Sequence, residues 1–200
     1  MKKNTQQRNK GFTLIETMIA VFVLTAALSG FFALIANSLF SARYARNEIT
    51  ANYLLQEAVD SIRNDRDTTA FQNNDPSTNT GWDTFLNKYR QGGCFTTFDS
   101  KNGCYFEPAD PLSMPALCNV LPTFGSANCP TFNYDENATN KDFYTYKNSG
   151  VRSNFKRQII MQVNPNRADE LDVKVTLEWL NGNLLRTQSL VISLLNWQKQ

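Results

Sequence analysis

The sequence predicts an α+β protein in which one long N-terminal helix lays its second half on a C-terminal antiparallel sheet. Three observations carry this. Helical patterning runs from Phe12 to about Arg66 without a proline. Three strand-like segments fill the end of the chain, two of them flanking Asn181-Gly182. Between helix and sheet lies a polar region that holds all four cysteines, Cys94, Cys104, Cys118 and Cys129.

Residues 1–11 form a basic leader with Lys2, Lys3, Arg8 and Lys10 and no acid. Without these four bases the chain keeps 16 basic against 18 acidic residues, and its formal charge moves from +2 to −2. Residues 12–36 follow as one apolar tract whose single charge is Glu16. A bilayer core takes about 20 apolar residues as helix, so the tract is long enough for a single-pass transmembrane segment. A short basic leader before such a span is expected to stay in the cytoplasm and send the rest outside.

Residues 37–66 continue the helix as an amphipathic half. Ala45, Ile49, Leu55, Val59 and Ile62 recur at helical spacing, flanked by Ala51, Leu54 and Ala58, with charges opposite. This stripe is expected to pack on the sheet.

Residues 67–150 read as a variable, cysteine-containing loop region. Asp67–Gly81 is rich in Asn, Thr and Asp and reads as loop. Trp82, Phe85, Leu86 and Tyr89 share one face of a short helix over 82–89. Thr131–Tyr134 and Phe143–Tyr146 can pair as a small hairpin.

Residues 151–200 form the antiparallel sheet, with strands at Phe155–Val163, Leu171–Leu180 and Leu184–Leu195. Val173, Val175, Leu177 and Trp179 alternate with Lys174, Thr176 and Glu178, the period of a half-buried strand. Asn181-Gly182 signals a hairpin turn. A three-residue loop there predicts Glu178 opposite Arg186 and Trp179 opposite Leu185.

The composition argues against catalysis. There is no histidine, which removes Ser-His-Asp, Cys-His and HExxH arrangements. No paired-carboxylate or Gly-rich phosphate motif stands in their place, so no catalytic residue, metal or cofactor is expected. Asp135, Asn137 and Asp142 offer oxygens for calcium but lack the spacing of a calcium loop, and a polar turn is the simpler reading. Trp82, Phe95, Phe98 and Tyr105 read as core around the cysteines rather than as an adhesive patch. No basic patch of the size nucleic acid wants is present beyond the leader. The cysteines contain no CxxC, and in an exported domain an even number reads as disulfides. Of three connectivities, the local one pairs Cys94 with Cys104 and Cys118 with Cys129.

The most informative residues are Lys10-Gly11-Phe12-Thr13-Leu14-Ile15-Glu16. A carboxylate five residues into an apolar span costs roughly 2.5 kcal/mol or more, so it usually has a partner. Cleavage after Gly11 would create an α-amino group on Phe12, which Glu16 of a neighbouring helix could neutralise on assembly. Gly11-Phe12-Thr13-Leu14-Ile15-Glu16, the basic leader and the apolar tract together resemble the prepilin peptidase signal of type IV pilins and type II secretion pseudopilins. The resemblance implies a membrane peptidase that cuts between Gly11 and Phe12 and N-methylates Phe12. It also implies assembly through Phe12 and Glu16 with other pilin subunits, into a filament at the cell surface or in the periplasm. Elsewhere the resemblance is architectural: long helix, variable loop, antiparallel sheet. Ala33 stands where major pilins carry a helix-melting proline, which is similar to V-type minor pilins and I-type minor pseudopilins, and only Gly30 is left to weaken the span. The expected role is a structural minor subunit. The alternative is an adhesion or DNA-uptake binding module on a pilin-like anchor.

Overall fold

The computed structural model describes residues 11, 13–72, 80–107, 110, 113–119, 129–135, 143–147 and 150–197. Two compact units divide the chain, Met1–Arg46 and Asn47–Gln200. Helix α1 spans Leu14–Gln72. It remains helical through Gly30, where an added Cβ would meet nothing within 4 Å. In the first unit every residue from Leu14 to Arg43 is exposed, large apolar side chains included. A helix apolar all round, with no cover among the described residues, is long and apolar enough to cross a membrane.

The second unit is built on a seven-stranded antiparallel sheet. After α1 come α2 (Thr80–Gln91), β1 (Asn102–Tyr105), β2 (Ala116–Asn119), β3 (Thr131–Asp135) and β4 (Phe143–Thr145). Three long strands close the chain: β5 (Val151–Asn164), β6 (Arg167–Asn181) and β7 (Leu184–Leu195). β5 is the hinge of the topology. On one side it pairs with β6, which pairs with β7; on the other it takes β1 beside Ile159 and β3 beside Lys156 and Arg152. This is the predicted α+β arrangement, a long helix followed by an antiparallel sheet.

The core forms because two periods agree. Ala51, Leu54, Leu55, Ala58, Val59 and Ile62 are buried on one stripe of α1. Phe155, Ile159 and Met161 of β5, and Leu171, Val173, Val175, Leu177 and Trp179 of β6, alternate onto the same core. Each of the Val, Leu, Ile, Phe and Met side chains among them contributes about 1.5–3 kcal/mol by leaving water. The stripe departs from the expected one at its start: Ala45 is exposed and Ile49 is 57% exposed. The buried line runs through Ala51, Leu54, Ala58 and Ile62, and Ile49 lies off it, a position periodicity alone cannot distinguish.

Three further expectations are corrected. The stretch Asp67–Gln72, read as loop, is the last part of α1, because tertiary contacts outweigh its polar composition. Ala70 is buried, Phe71 packs against Trp197 at 5.7 Å, and Asp67 accepts from Arg66 and from Trp197 Nε1. Within 67–150, the segments around Cys104 and Cys118 form β1 and β2 rather than loop. The expected helix over 82–89 is present as α2, and the hairpin is present as β3 and β4.

The last correction concerns register. Asn181 pairs with Leu184, so the β6–β7 loop is the two residues Gly182-Asn183, and Trp179 faces Arg186 while Glu178 faces Thr187. Gly182 has φ +63°, the left-handed conformation that two-residue hairpin turns require. The predicted register would have turned Thr187 and Ser189 inward. The observed one turns in Leu190, Ile192 and Leu194, opposite Val175, Val173 and Leu171.

Candidate functional site

The site begins where the helix begins. Thr13 caps α1: its carbonyl accepts from the amides of Glu16 at 3.1 Å and Thr17 at 3.2 Å, and its hydroxyl oxygen accepts from Glu16 N at 3.4 Å. Thr13-Leu14-Ile15-Glu16 has the T-x-x-E spacing of a capping box. The spacing is legible in the sequence, in the same residues that carry the charge. Glu16 therefore stands in the first turn, where the positive end of the helix dipole favours a carboxylate. Gly11 is exposed, and Phe12 lies outside the described residues.

The span settles its own polar groups except one. Thr17 donates to Leu14 O at 2.8 Å, Thr25 to Phe22 O at 2.9 Å and Ser29 to Ala26 O at 2.8 Å. Each hydroxyl folds back on the preceding turn, which hides its polarity from hydrocarbon. Glu16 differs. Its side chain is exposed among apolar neighbours, and among the described residues no cation pairs with it. The fold thus leaves an acid in an otherwise self-satisfied span.

The four cysteines are buried and joined as Cys94–Cys104 and Cys118–Cys129. Local geometry positions the first pair. After α2 the amide of Cys94 donates to Tyr89 O and that of Gly93 to Arg90 O, both at 3.0 Å, with Gly93 at φ +74°. This is a Schellman cap, and it turns the chain back onto β1 and β5. An alanine at Gly93 would need that strained φ and would set its Cβ 2.6 Å from Leu117 Cδ1. Each bridge closes a short loop, worth about 3 kcal/mol. Non-reducing peptide mapping should recover both local pairs. Replacing Cys94 and Cys104 together by serine should lower unfolding stability by about 2–5 kcal/mol, and a crossed pairing in the map would contradict the assignment.

Sequence reasoning missed Arg157. It alternates on β5 with Phe155 and Ile159, so strand parity alone puts it on the core face, and it is fully buried. Its Nη1 donates to Leu54 O at 2.9 Å and to Glu57 Oε2 at 3.0 Å. Its guanidinium carbon stands 4.8 Å from the Phe132 ring centre. Burial raises the Glu57 carboxyl above the usual carboxylate range, and the adjacent Arg157 charge pulls it partly back. Arg157 thereby ties the middle of α1 to the sheet.

Of the aromatics singled out, Trp82 is buried, and Phe95, Phe98 and Tyr105 are half-buried. Phe95 and Tyr146 pack against the core, and Tyr105 meets Tyr146 edge-on at 5.0 Å. Asn137 and Asp142 lie outside the described residues. Among the described residues no cluster of three metal-ligating side chains occurs.

Residues 6–32 match the prokaryotic N-terminal methylation motif, which covers the end of the leader, Gly11 to Glu16 and most of the apolar tract. Comparison with curated proteins finds no match, and neither does comparison with solved structures. On the motif and the architecture together, the chain carries a type IV pilin-like prepilin signal on a pilin-like α+β fold.

Proposed function

We propose that this chain is a structural minor pilin or pseudopilin, a single-pass membrane subunit with no enzymatic activity of its own. Prepilin peptidase cuts it between Gly11 and Phe12, methylates the Phe12 amine, and releases it for assembly into a type IV pilus or a related filament. The observation that carries this reading is the motif match over residues 6–32, placed where α1 starts.

Helix electrostatics support the assembly step. Phe12 directly precedes the capping Thr13, so the new amine would sit at the positive end of α1, where a cation is disfavoured. Glu16, in the first turn of the same helix, carries an acid with no cation paired to it among the described residues. Pairing the amine of one subunit with Glu16 of the next relieves both, and that pairing exists only between subunits.

Intact-mass measurement of membrane fractions from a peptidase-positive host tests the processing. The mature chain should lack residues 1–11 and carry one added methyl group. An uncut chain, or one that starts near Asn37, would refute it.

A further inference from the structure

Within the globular unit, β7 runs along α1 in the same direction. Gln188 Nε2 donates to Asn52 Oδ1 at 2.7 Å, and Arg66 Nη1 donates to Leu195 O at 3.4 Å. From one contact to the next is about 21 Å of helix, Asn52 to Arg66, and about 23 Å of strand, Gln188 to Leu195, so the two keep step. Along this common direction Leu184 stands about 13 Å before Gln188, whereas Asn47, the first residue of the unit, stands only about 8 Å before Asn52. The β6–β7 turn therefore projects past the start of its own unit, on the side from which the apolar span enters.

The side chains at this end are apolar and bare. Leu184 is 58% exposed, Leu185 42% and Val151 66%. Val151 belongs with them because β5 pairs Phe155 with Trp179, and the same register carries Val151 to the level of the turn. By strand parity Leu184 falls on the face of Leu190, Ile192 and Leu194, but at Leu184 the core has ended. The turn at the other end of β6 differs: its exposed residues Pro165, Asn166 and Arg167 include no large aliphatic side chain. Chain length supplies what faces the leucines. Leu39 and Phe40 are the last exposed apolar pair of the span, and Phe40 precedes Asn47 by about 10 Å of helix. With the span in a bilayer, the membrane surface lies within that distance of the unit, on the side to which the turn projects.

We propose that the β6–β7 turn is a second membrane contact, with Leu184, Leu185 and Val151 entering the headgroup–acyl boundary of the leaflet nearest the globular unit. This contact presupposes the reading of residues 12–36 as a membrane span. Its depth is bounded, because hydrocarbon does not solvate the turn backbone at Gly182 and Asn183. The turn stays among headgroups while its aliphatic side chains reach the acyl boundary. The contact holds the unit against the bilayer, and it breaks when the subunit leaves for a filament.

The test places single nitroxide labels on the full-length chain in vesicles of phosphatidylcholine and phosphatidylglycerol. The natural cysteines are all bridged, so an introduced thiol labels alone. Collision with oxygen, which enters lipid, is compared with collision with a water-soluble nickel chelate at Asn183→Cys, at Ala26→Cys in the span and at Asn166→Cys on the far turn. The oxygen-to-nickel ratio at Asn183 should stand well above that at Asn166 and approach that at Ala26. Adding Leu184→Asp and Leu185→Asp, both at exposed positions, should drop the Asn183 ratio to that of Asn166 and leave Ala26 unchanged. A lipid reading at Ala26 with a watery one at Asn183 would overturn the contact and leave the anchor standing. A watery reading at Ala26 would remove the anchor and the contact together. An Asn183 label shielded from both reagents and spin-coupled between chains would assign the turn to a second copy, and a ratio unmoved by the two aspartates would show that the leucines make no contact; either result overturns the proposal.

Discussion

Replacing Arg157 by methionine should destabilise the globular unit by about 3–5 kcal/mol at pH 7.5. Methionine fills much of the space but leaves the Glu57 carboxylate without its buried partner and removes a hydrogen bond to Leu54 O. Arg157→Lys should fail almost as badly, because an ammonium lacks the planar guanidinium that lies over Phe132 while its Nη1 reaches Leu54 O and Glu57 and its Nη2 reaches Phe106 O. The loss should depend on pH, with a definite sign. The folded-state pKa of Glu57 is raised above 4.5, and removing Arg157 takes away what lowers it. Between 4.5 and the folded value the native state keeps a proton that the unfolded chain has released. Stability therefore falls as pH rises through that window and recovers as pH drops toward 4.5. Denaturant unfolding of the full chain, followed by the near-ultraviolet signal of Trp82 and Trp179, measures this. A loss below about 1 kcal/mol, the ordinary effect of a tolerated substitution, or an equal loss at pH 5 and pH 7.5, would contradict the buried-pair account.

How far the sequence reached depended on whether the physics was local. The span, the stripe on α1 and the alternation on β6 are periodic signals within one segment, and all three reappear in the fold. The end of α1 was missed because Asp67–Gln72 owes its helix to Trp197, over 120 residues away. β1 and β2 leave no local signal because four-residue strands owe their form to pairing with one another and with β5. The hairpin register was within reach: counting which residues of Leu184–Leu195 must face inward selects Leu190, Ile192 and Leu194, and with them a two-residue loop. Arg157 was hidden by its type, since a buried arginine is the exception that composition argues against. Of the candidate site, Gly11 to Glu16 stood in plain view. What the structure adds is the Thr13 cap and the contrast between three self-satisfied hydroxyls and one unpartnered acid.

The central claim is that this acid is an assembly element, and Glu16→Gln tests it most directly. The glutamine keeps the shape and the place in the first turn but removes the charge. Insertion of the lone subunit should be unchanged or easier, since no ionised group enters hydrocarbon. Cleavage should survive, because the bond cut lies five residues earlier. Incorporation into filaments should fail or drop by about a hundredfold, the consequence of leaving a neighbour's Phe12 amine unpaired at a cost of about 3 kcal/mol or more. The measurement is filament incorporation of the variant beside wild type, with cleavage followed by intact mass in the same cells. Processed but unincorporated Glu16→Gln is the predicted result; a processed variant that enters filaments as well as wild type would contradict the pairing and leave the helix an anchor alone.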